Sequence, residues 1–445
     1  MKPVHVIGAG FAGSECAFQL AERGVPVILH EMRPRQTTPA HRSADFAELV
    51  CSNSFRSDDP LHAAGLLKRE MQALDSLIIR EARRAAVPAG SALAVDRERF
   101  SAAVTALLEQ HPKIEVRREE LAEPPSDGDV VMATGPLTGS GLASWLRGVL
   151  GEESLYFYDS IAPIVEAESL DESALFRASR WGKGDGDDYL NAPMNPEQYL
   201  AFHAAICAAE VLPLHDFEKE LFFEGCLPIE EMARRGVDTL RYGPMKPVGL
   251  RAPDGRRPYA VVQLRQENLA RSQYNLVGFQ SRMKWPEQER IFRSIPGLQE
   301  ARFVRLGQIH RNTFINAPRQ LDPIYRLRLQ PRVRLAGQLT GVEGYLESAA
   351  TGLAVGLFLA LERLGRPVEP FPPTTALGAM ARHLTESDPA HFQPANVNYG
   401  LFAPLADEKV RREARRPAYA GRARLELEGW ARRHELTLAP SPWTP

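Results

Sequence analysis

Cysteine is scarce in this chain of 445 residues. The four present, Cys16, Cys51, Cys207 and Cys226, form neither a C-x-x-C pair nor a Cys/His set with zinc-finger spacing. A dithiol redox centre, a disulfide framework and a bound metal are therefore not expected, and any cysteine chemistry falls to single thiols. Lysine is also rare: 8 residues against 46 arginines, an imbalance that reads as genomic composition before it reads as a binding signal. With 54 basic and 56 acidic residues the formal charge is -2, so attraction to a polyanion has to come from local patches. No apolar run reaches the about 18 residues that would span a bilayer; the best, 352–361, stops at Glu362 and Arg363. The opening Met1-Lys2-Pro3-Val4-His5-Val6-Ile7 lacks the apolar core and small-residue cleavage site of a signal peptide, which makes a cytoplasmic location the expectation. At 44% hydrophobic and 25% charged residues, a disordered or fibrous chain is excluded.

What is present begins at once. Residues 4–7 read as a strand, Gly8-Ala9-Gly10-Phe11-Ala12-Gly13 as a tight turn, 14–23 as a helix and 25–31 as a second strand. In a dinucleotide-binding unit Gly8 makes the turn, Gly10 admits the pyrophosphate, Gly13 lets helix and strand pack, and Glu31, ending the second strand, accepts from a ribose hydroxyl. Two further strands end in glycine: 129–135, closing in Ala133-Thr134-Gly135, and 333–338, followed by Gly341, Glu343 and an apolar helix over about 347–363. Together these resemble the FAD-binding fold of the glutathione-reductase-like flavoproteins. That resemblance implies FAD held by residues 8–13, Glu31 and Gly135, with Gly337, Gln338, Gly341 and Glu343 nearer its reacting ring.

Between these parts the texture turns mixed and turn-rich, and no second glycine fingerprint occurs; the glycines at 182, 184 and 186 alternate with acids that would repel a pyrophosphate. The expected fold class is α/β, a glutathione-reductase-like FAD-binding Rossmann fold with an inserted α+β domain. Residues 1–153 and 307–445 would form the FAD-binding domain and 154–306 the insertion, a substrate domain. Cys51, in Leu49-Val50-Cys51-Ser52-Asn53-Ser54, and Cys226, in Glu224-Gly225-Cys226-Leu227-Pro228, read as loop cysteines, while Cys16 and Cys207 read as small buried hydrophobes. Basic residues with aromatics nearby gather around Arg241 and Lys246, around Arg282 and Lys284, and from Lys409 through Arg411, Arg412, Arg415 and Arg416. Such clusters suit RNA phosphates and bases, and equally suit solvated surface faces.

The glycine unit, Cys51-Ser52-Asn53-Ser54, Val95-Asp96-Arg97, the Cys226 block, the run 243–250 and Asn396-Val397-Asn398-Tyr399-Gly400-Leu401 together resemble the TrmFO family of folate- and FAD-dependent tRNA uracil-5 methyltransferases, related to the GidA flavoproteins. The resemblance implies NADPH or NADH as reductant and 5,10-methylenetetrahydrofolate as carbon donor. The carbon passes through the flavin to C5 of uridine 54 in the tRNA T loop. It further implies Cys226 as the nucleophile, Cys51 as proton acceptor or accessory thiol, and the basic residues above as tRNA contacts. Two other readings stay open on residues alone: an NAD(P)H-dependent flavin oxidoreductase of a small molecule, and a non-catalytic flavoprotein that binds RNA or protein.

Overall fold

Four short apolar strands run side by side and in the same direction: Gln330–Leu335, Val130–Met132, Val4–Ile7 and Val27–Glu31. The strand Ile114–Arg118 adds a fifth parallel edge, and the antiparallel Arg326–Leu327 closes the other side. The computed structural model describes residues 1–38, 40–151, 155–160, 162–212, 227–406, 410–440 and 443, with backbone only at 155–160 and 309–311. Val4–Ile7 sits at the centre of this sheet, with Val6 opposite both Leu29 and Val131, and helices cover both faces as a parallel sheet requires. The α/β class with a parallel Rossmann-type sheet, expected from the sequence, is what the chain adopts.

Two helices fix the geometry above the sheet. Phe11–Glu22 follows the glycine loop, and Tyr345–Arg363 lies against it at backbone distance. A Cβ on Gly352 would stand 2.1 Å from the Ala12 carbonyl oxygen, and one on Gly356 would stand 2.9 Å from that of Cys16. The long helix is apolar enough to cross a membrane by length and composition, but 89% of its most apolar window is buried, as in a core helix. Two buried carboxylates tie helix to helix around this pair, Glu15 from Phe11–Glu22 and Glu70 from Ala63–Ala73. Glu15 accepts from Ile78 N (2.9 Å) and Ser76 Oγ (2.7 Å) at the start of Leu77–Arg84. Glu70 accepts from Ala376 N (2.7 Å) and Leu377 N (2.9 Å) at the start of Ala376–Glu386.

A second sheet is antiparallel throughout, in the order Phe176–Arg177, Tyr189–Met194, Ala260–Gln266, Gln273–Leu276, Ile164–Glu166 and Phe303–Arg305. Its strands alternate: Val262, Leu264, Tyr274 and Leu276 pack under the helices Pro196–Ala208 and Trp285–Phe292. The intervening Gln263, Arg265 and Asn275 therefore face the other way, and they are buried too. The chain passes from the first sheet to the second and back along two strands, Leu155–Ser160 and Ile309–Phe314, which pair with each other.

Candidate functional site

Because the central strands are parallel, their carboxyl ends open on one edge, where ligands bind in sheets of this kind. Gly8 sits there with φ +96°, and a Cβ on it would lie 2.7 Å from the Ala133 carbonyl oxygen. On Gly13 a Cβ would lie 1.7 Å from the Gly8 carbonyl oxygen, so helix and turn touch through it. Gly10 differs: nothing lies within 4 Å of its missing Cβ, and the position opens into a long cavity. Ala9 N donates to Glu31 Oε2 (2.9 Å), and Arg33 donates to Glu31 Oε1 through Nε (2.9 Å) and its own amide (3.0 Å). Burial alone would raise the Glu31 carboxyl, but the Arg33 guanidinium and these donors outweigh it, so the group lies below its ordinary range and stays ionised. The cavity runs from Glu31 past Phe11, Ala12 and Gly135 to Gly337, Gln338 and Tyr345.

Two of the expected ring-end residues lie elsewhere. Gly341 lines neither this cavity nor the next; its φ of +93° and the Phe392 ring, 2.5 Å from where its Cβ would be, give it a packing reason to be glycine. Glu343 lines only the adjoining cavity and accepts from Gln338 Nε2 (2.9 Å).

That adjoining cavity shares Val50, Pro136, Leu137, Gln338 and Tyr345 with the first, and Cys51 lies in its wall. Tyr345 Oη accepts from Cys51 N (2.7 Å) and donates to Cys51 Sγ (3.0 Å). Burial, and then the nearby Cys51, hold the Tyr345 phenol well above its ordinary range, so it is a neutral donor. Its ring stacks on Phe11 with centroids 4.6 Å apart. The loop is gripped from below by two arginines: Arg97 Nη2 (2.6 Å) and Arg305 Nη2 (2.8 Å) both donate to the Cys51 carbonyl oxygen. Arg305 Nη1 also holds Val50 O (2.7 Å). Burial, and then Arg97, pull Arg305 down to about 10, whereas the Glu267 carboxylate overrides burial at Arg97 and raises it. Across the cavity, Arg265 donates to Asn53 Oδ1 (2.8 Å) and Ser52 Oγ (2.7 Å). Arg56, at φ +64°, pairs with the fully buried Glu347. Cys226 lies outside the described residues.

Residues 3–367 match the family model "Glucose inhibited division protein A". The methylenetetrahydrofolate–tRNA-(uracil-5-)-methyltransferase TrmFO of Geobacter sulfurreducens is 56% identical over 430 residues, covering 96% of this chain and 98% of that protein. The protein of the same name from Syntrophotalea carbinolica is 53% identical over 453 residues, covering 99% and 98%. The chain belongs to the TrmFO family. Its fold is also that of Aquifex aeolicus GidA, whose form II crystal structure superposes with a TM-score of 0.70 at 17% identity, over 99% of this chain and 75% of that one.

The basic residues expected of a TrmFO family member fall into separate groups. Arg241 and Lys246 line one open surface groove, and the structure adds Arg256 and Arg257 to it. Arg241 is paired with Asp238 (2.7 Å) and lies 3.7 Å over the Tyr259 ring. Lys284 is exposed and paired with Glu210 (2.6 Å). Arg411, Arg412, Arg415 and Arg416 are exposed at the start of the helix Arg412–Arg433; Lys409 is outside the described residues. Arg282 corrects the expectation of a surface cation: it is 5% exposed, and its Nη2 bonds Glu231 (2.6 Å), so it serves the interior. Cys16 is buried as expected, whereas Cys207 is partly exposed, with Sγ 3.8 Å from His203 Nε2. Sequence reasoning assigned no site role to Tyr345, Arg97, Arg265, Arg305 or Asn275. Of these only Arg97 stood inside a stretch that carried the family resemblance.

Proposed function

We propose that the chain is a folate-dependent tRNA (uracil-5-)-methyltransferase that binds FAD, is reduced by NADPH or NADH, and methylates C5 of uridine 54 in the T loop. The observation that carries this reading is the junction at Tyr345: a cavity floored by the glycine loop and bounded by Glu31 shares its wall with a second cavity that holds Cys51. FAD fits the first cavity because Gly10 leaves the approach to the helix N-terminus clear and the ionised Glu31 can accept from a ribose hydroxyl. Residues 8–13, Glu31 and Gly135 would hold its adenosine diphosphate part, and Gly337 and Gln338 its ring end. Bound there, FAD supplies the two electrons that take the folate carbon from the formaldehyde to the methyl level.

The chain's own residues supply the rest. C5 of uracil is a poor nucleophile until a group adds at C6, and a thiolate is suited to add there and leave again. Cys226 takes that role. The described chain resumes at Leu227, and Ile229 N donates to Gln280 O (2.7 Å), a residue in the wall of the Cys51 cavity, which supports the assignment. Cys51 receives the C5 proton, and the Tyr345 hydroxyl, a neutral donor, stabilises negative charge on its sulfur. Arg97 and Arg305 keep the Cys51 loop in place. Residues 1–153 and 307–445 form the FAD-binding domain and 154–306 the tRNA domain, and a tRNA substrate places the enzyme in the cytoplasm. The test is to incubate the purified protein with NADPH, carbon-labelled methylenetetrahydrofolate and unmodified tRNA. Labelled 5-methyluridine in the digested RNA supports the reading; NADPH oxidation without label in RNA overturns it.

A further inference from the structure

The second cavity contains an unspent polar group. Asn275 lies in the strand Gln273–Leu276, directly across from Arg265, and the alternation that sends Tyr274 and Leu276 into the core turns Asn275 toward the cavity. It is 2% exposed, and its Nδ2 is buried without a hydrogen-bond partner. Its cross-strand neighbour cannot relieve it: a guanidinium accepts nothing, and Arg265 is already donating to Ser52 and Asn53, the two residues after Cys51. A buried donor left without a partner is costly, and native chains keep few of them. One placed in a cavity wall beside the Cys51 loop has a ligand as its natural partner.

We propose that Asn275 is a catalytic residue that binds the lactam edge of the target uracil, with Nδ2 donating to the C4 oxygen and Oδ1 accepting from N3–H. This rests on the methyltransferase reading above. A carboxamide offers one donor and one acceptor side by side, which matches a C4 carbonyl beside N3–H. When a thiolate bonds C6, the C5–C6 π pair moves onto the C4 oxygen as an enolate, and no proton or electron leaves the ring. A fixed donor at that oxygen therefore binds the charged adduct more tightly than the neutral base, which is how an oxyanion donor accelerates a reaction. The pterin of the folate has the same lactam edge, and the experiment separates the two.

Asn275→Ala and the isosteric Asn275→Asp holoenzymes are compared with the parent in three assays: single-turnover tRNA methylation, the rate of covalent adduct formation with a T-arm RNA carrying 5-fluorouridine, and tetrahydrofolate binding. Both variants should retain flavin, bind tetrahydrofolate within about twofold of the parent, and lose about 100- to 1000-fold in methylation and adduct rate, the usual cost of one oxyanion donor. Replacing the target base by 4-thiouridine should slow the parent and leave Asn275→Asp with no further loss. Adduct formation at the parental rate overturns the proposal, as does loss of tetrahydrofolate affinity with the adduct rate intact, which would assign Asn275 to the pterin. A parent protein that methylates no RNA would instead overturn the methyltransferase reading itself.

Discussion

The cavity above the glycine loop is shaped by main chain, whereas the one that holds Cys51 is walled by side chains from distant stretches of sequence. In the first, the decisive facts are a φ of +96° at Gly8, a 1.7 Å clash at Gly13 and open space at Gly10. In the second they are bonds between Cys51 and Tyr345, 294 residues apart, and between Cys51 and Arg305, 254 apart. The glycine loop at the floor of the first is contiguous and so leaves a spaced motif. A site defined by side chains needs only that the fold bring them together.

The largest expected effect leaves the first region intact. Cys226→Ala should abolish both methylation and the enzyme–RNA adduct with flavin still bound, seen by absorbance and by gel shift under denaturing conditions. Cys51→Ala should still allow the adduct but slow turnover; if only the Cys51 variant loses the adduct, the two roles exchange. The first region breaks differently. Gly10→Leu should fold yet bind little flavin, because its side chain enters the open cavity. Gly13→Ala should lose about 1–3 kcal/mol of stability by overpacking against Gly8, measured by denaturant unfolding. Equal flavin content in parent and Gly10→Leu would show that the loop does not face the cofactor.

Smaller effects sharpen the contrast. Tyr345→Phe should keep flavin but slow methylation about 10- to 100-fold, because the hydrogen bond that holds Cys51 as the thiolate base is lost, a charged-group bond of about 1.5–3 kcal/mol. Smaller again is a pH effect at Lys68, whose Nζ donates to Ser57 O (2.8 Å) and which burial lowers to about 7. Between pH 7 and its ordinary value of 10.5 the unfolded chain holds a proton that the folded chain lacks, so this group makes stability rise with pH. Lys68→Met should therefore gain most on the parent near pH 7, with the gap in Tm closing as pH rises toward 10; a gap constant with pH would mean that Lys68 stays charged.

The same contrast explains what the sequence made legible. Residues 4–31 announce their unit because strand, turn, helix and strand each obey a local rule, and the parallel sheet follows from two more strands ending in glycine. At Gly341 the local rule is only part of the account: in the sequence it looks like part of a cofactor loop, and its positive-φ backbone also packs against the Phe392 ring, fifty-one residues away. Arg282 misleads because a basic run beside an aromatic gives no sign of its own burial or of the Glu231 contact awaiting it. Arg265 and Asn275 are invisible for a further reason: polar residues in a strand read as its solvent face, and here that face is covered.

The close parallel packing of Phe11–Glu22 and Tyr345–Arg363, with Gly352 on Ala12 and Gly356 on Cys16, has an electrostatic consequence. Both helices point their starts toward the same cavity, lined by Gly10 and Phe11 of one and Tyr345 and Ser348 of the other, and neither is capped by the side chain of its N-cap residue, Gly10 or Gly344. Each helix start carries a partial charge of about +0.5, and in this register the second start lies roughly six residues beyond the first, so the positive potential of the peptide dipoles is spread along the cavity. Among the described residues no lysine lines that cavity, and the guanidinium of Arg33 is committed to Glu31 and Glu48. A lysine-poor chain can in this way hold an anionic group with main chain alone. Because peptide dipoles do not titrate, that hold persists across the pH range in which a histidine or a depressed lysine would let go.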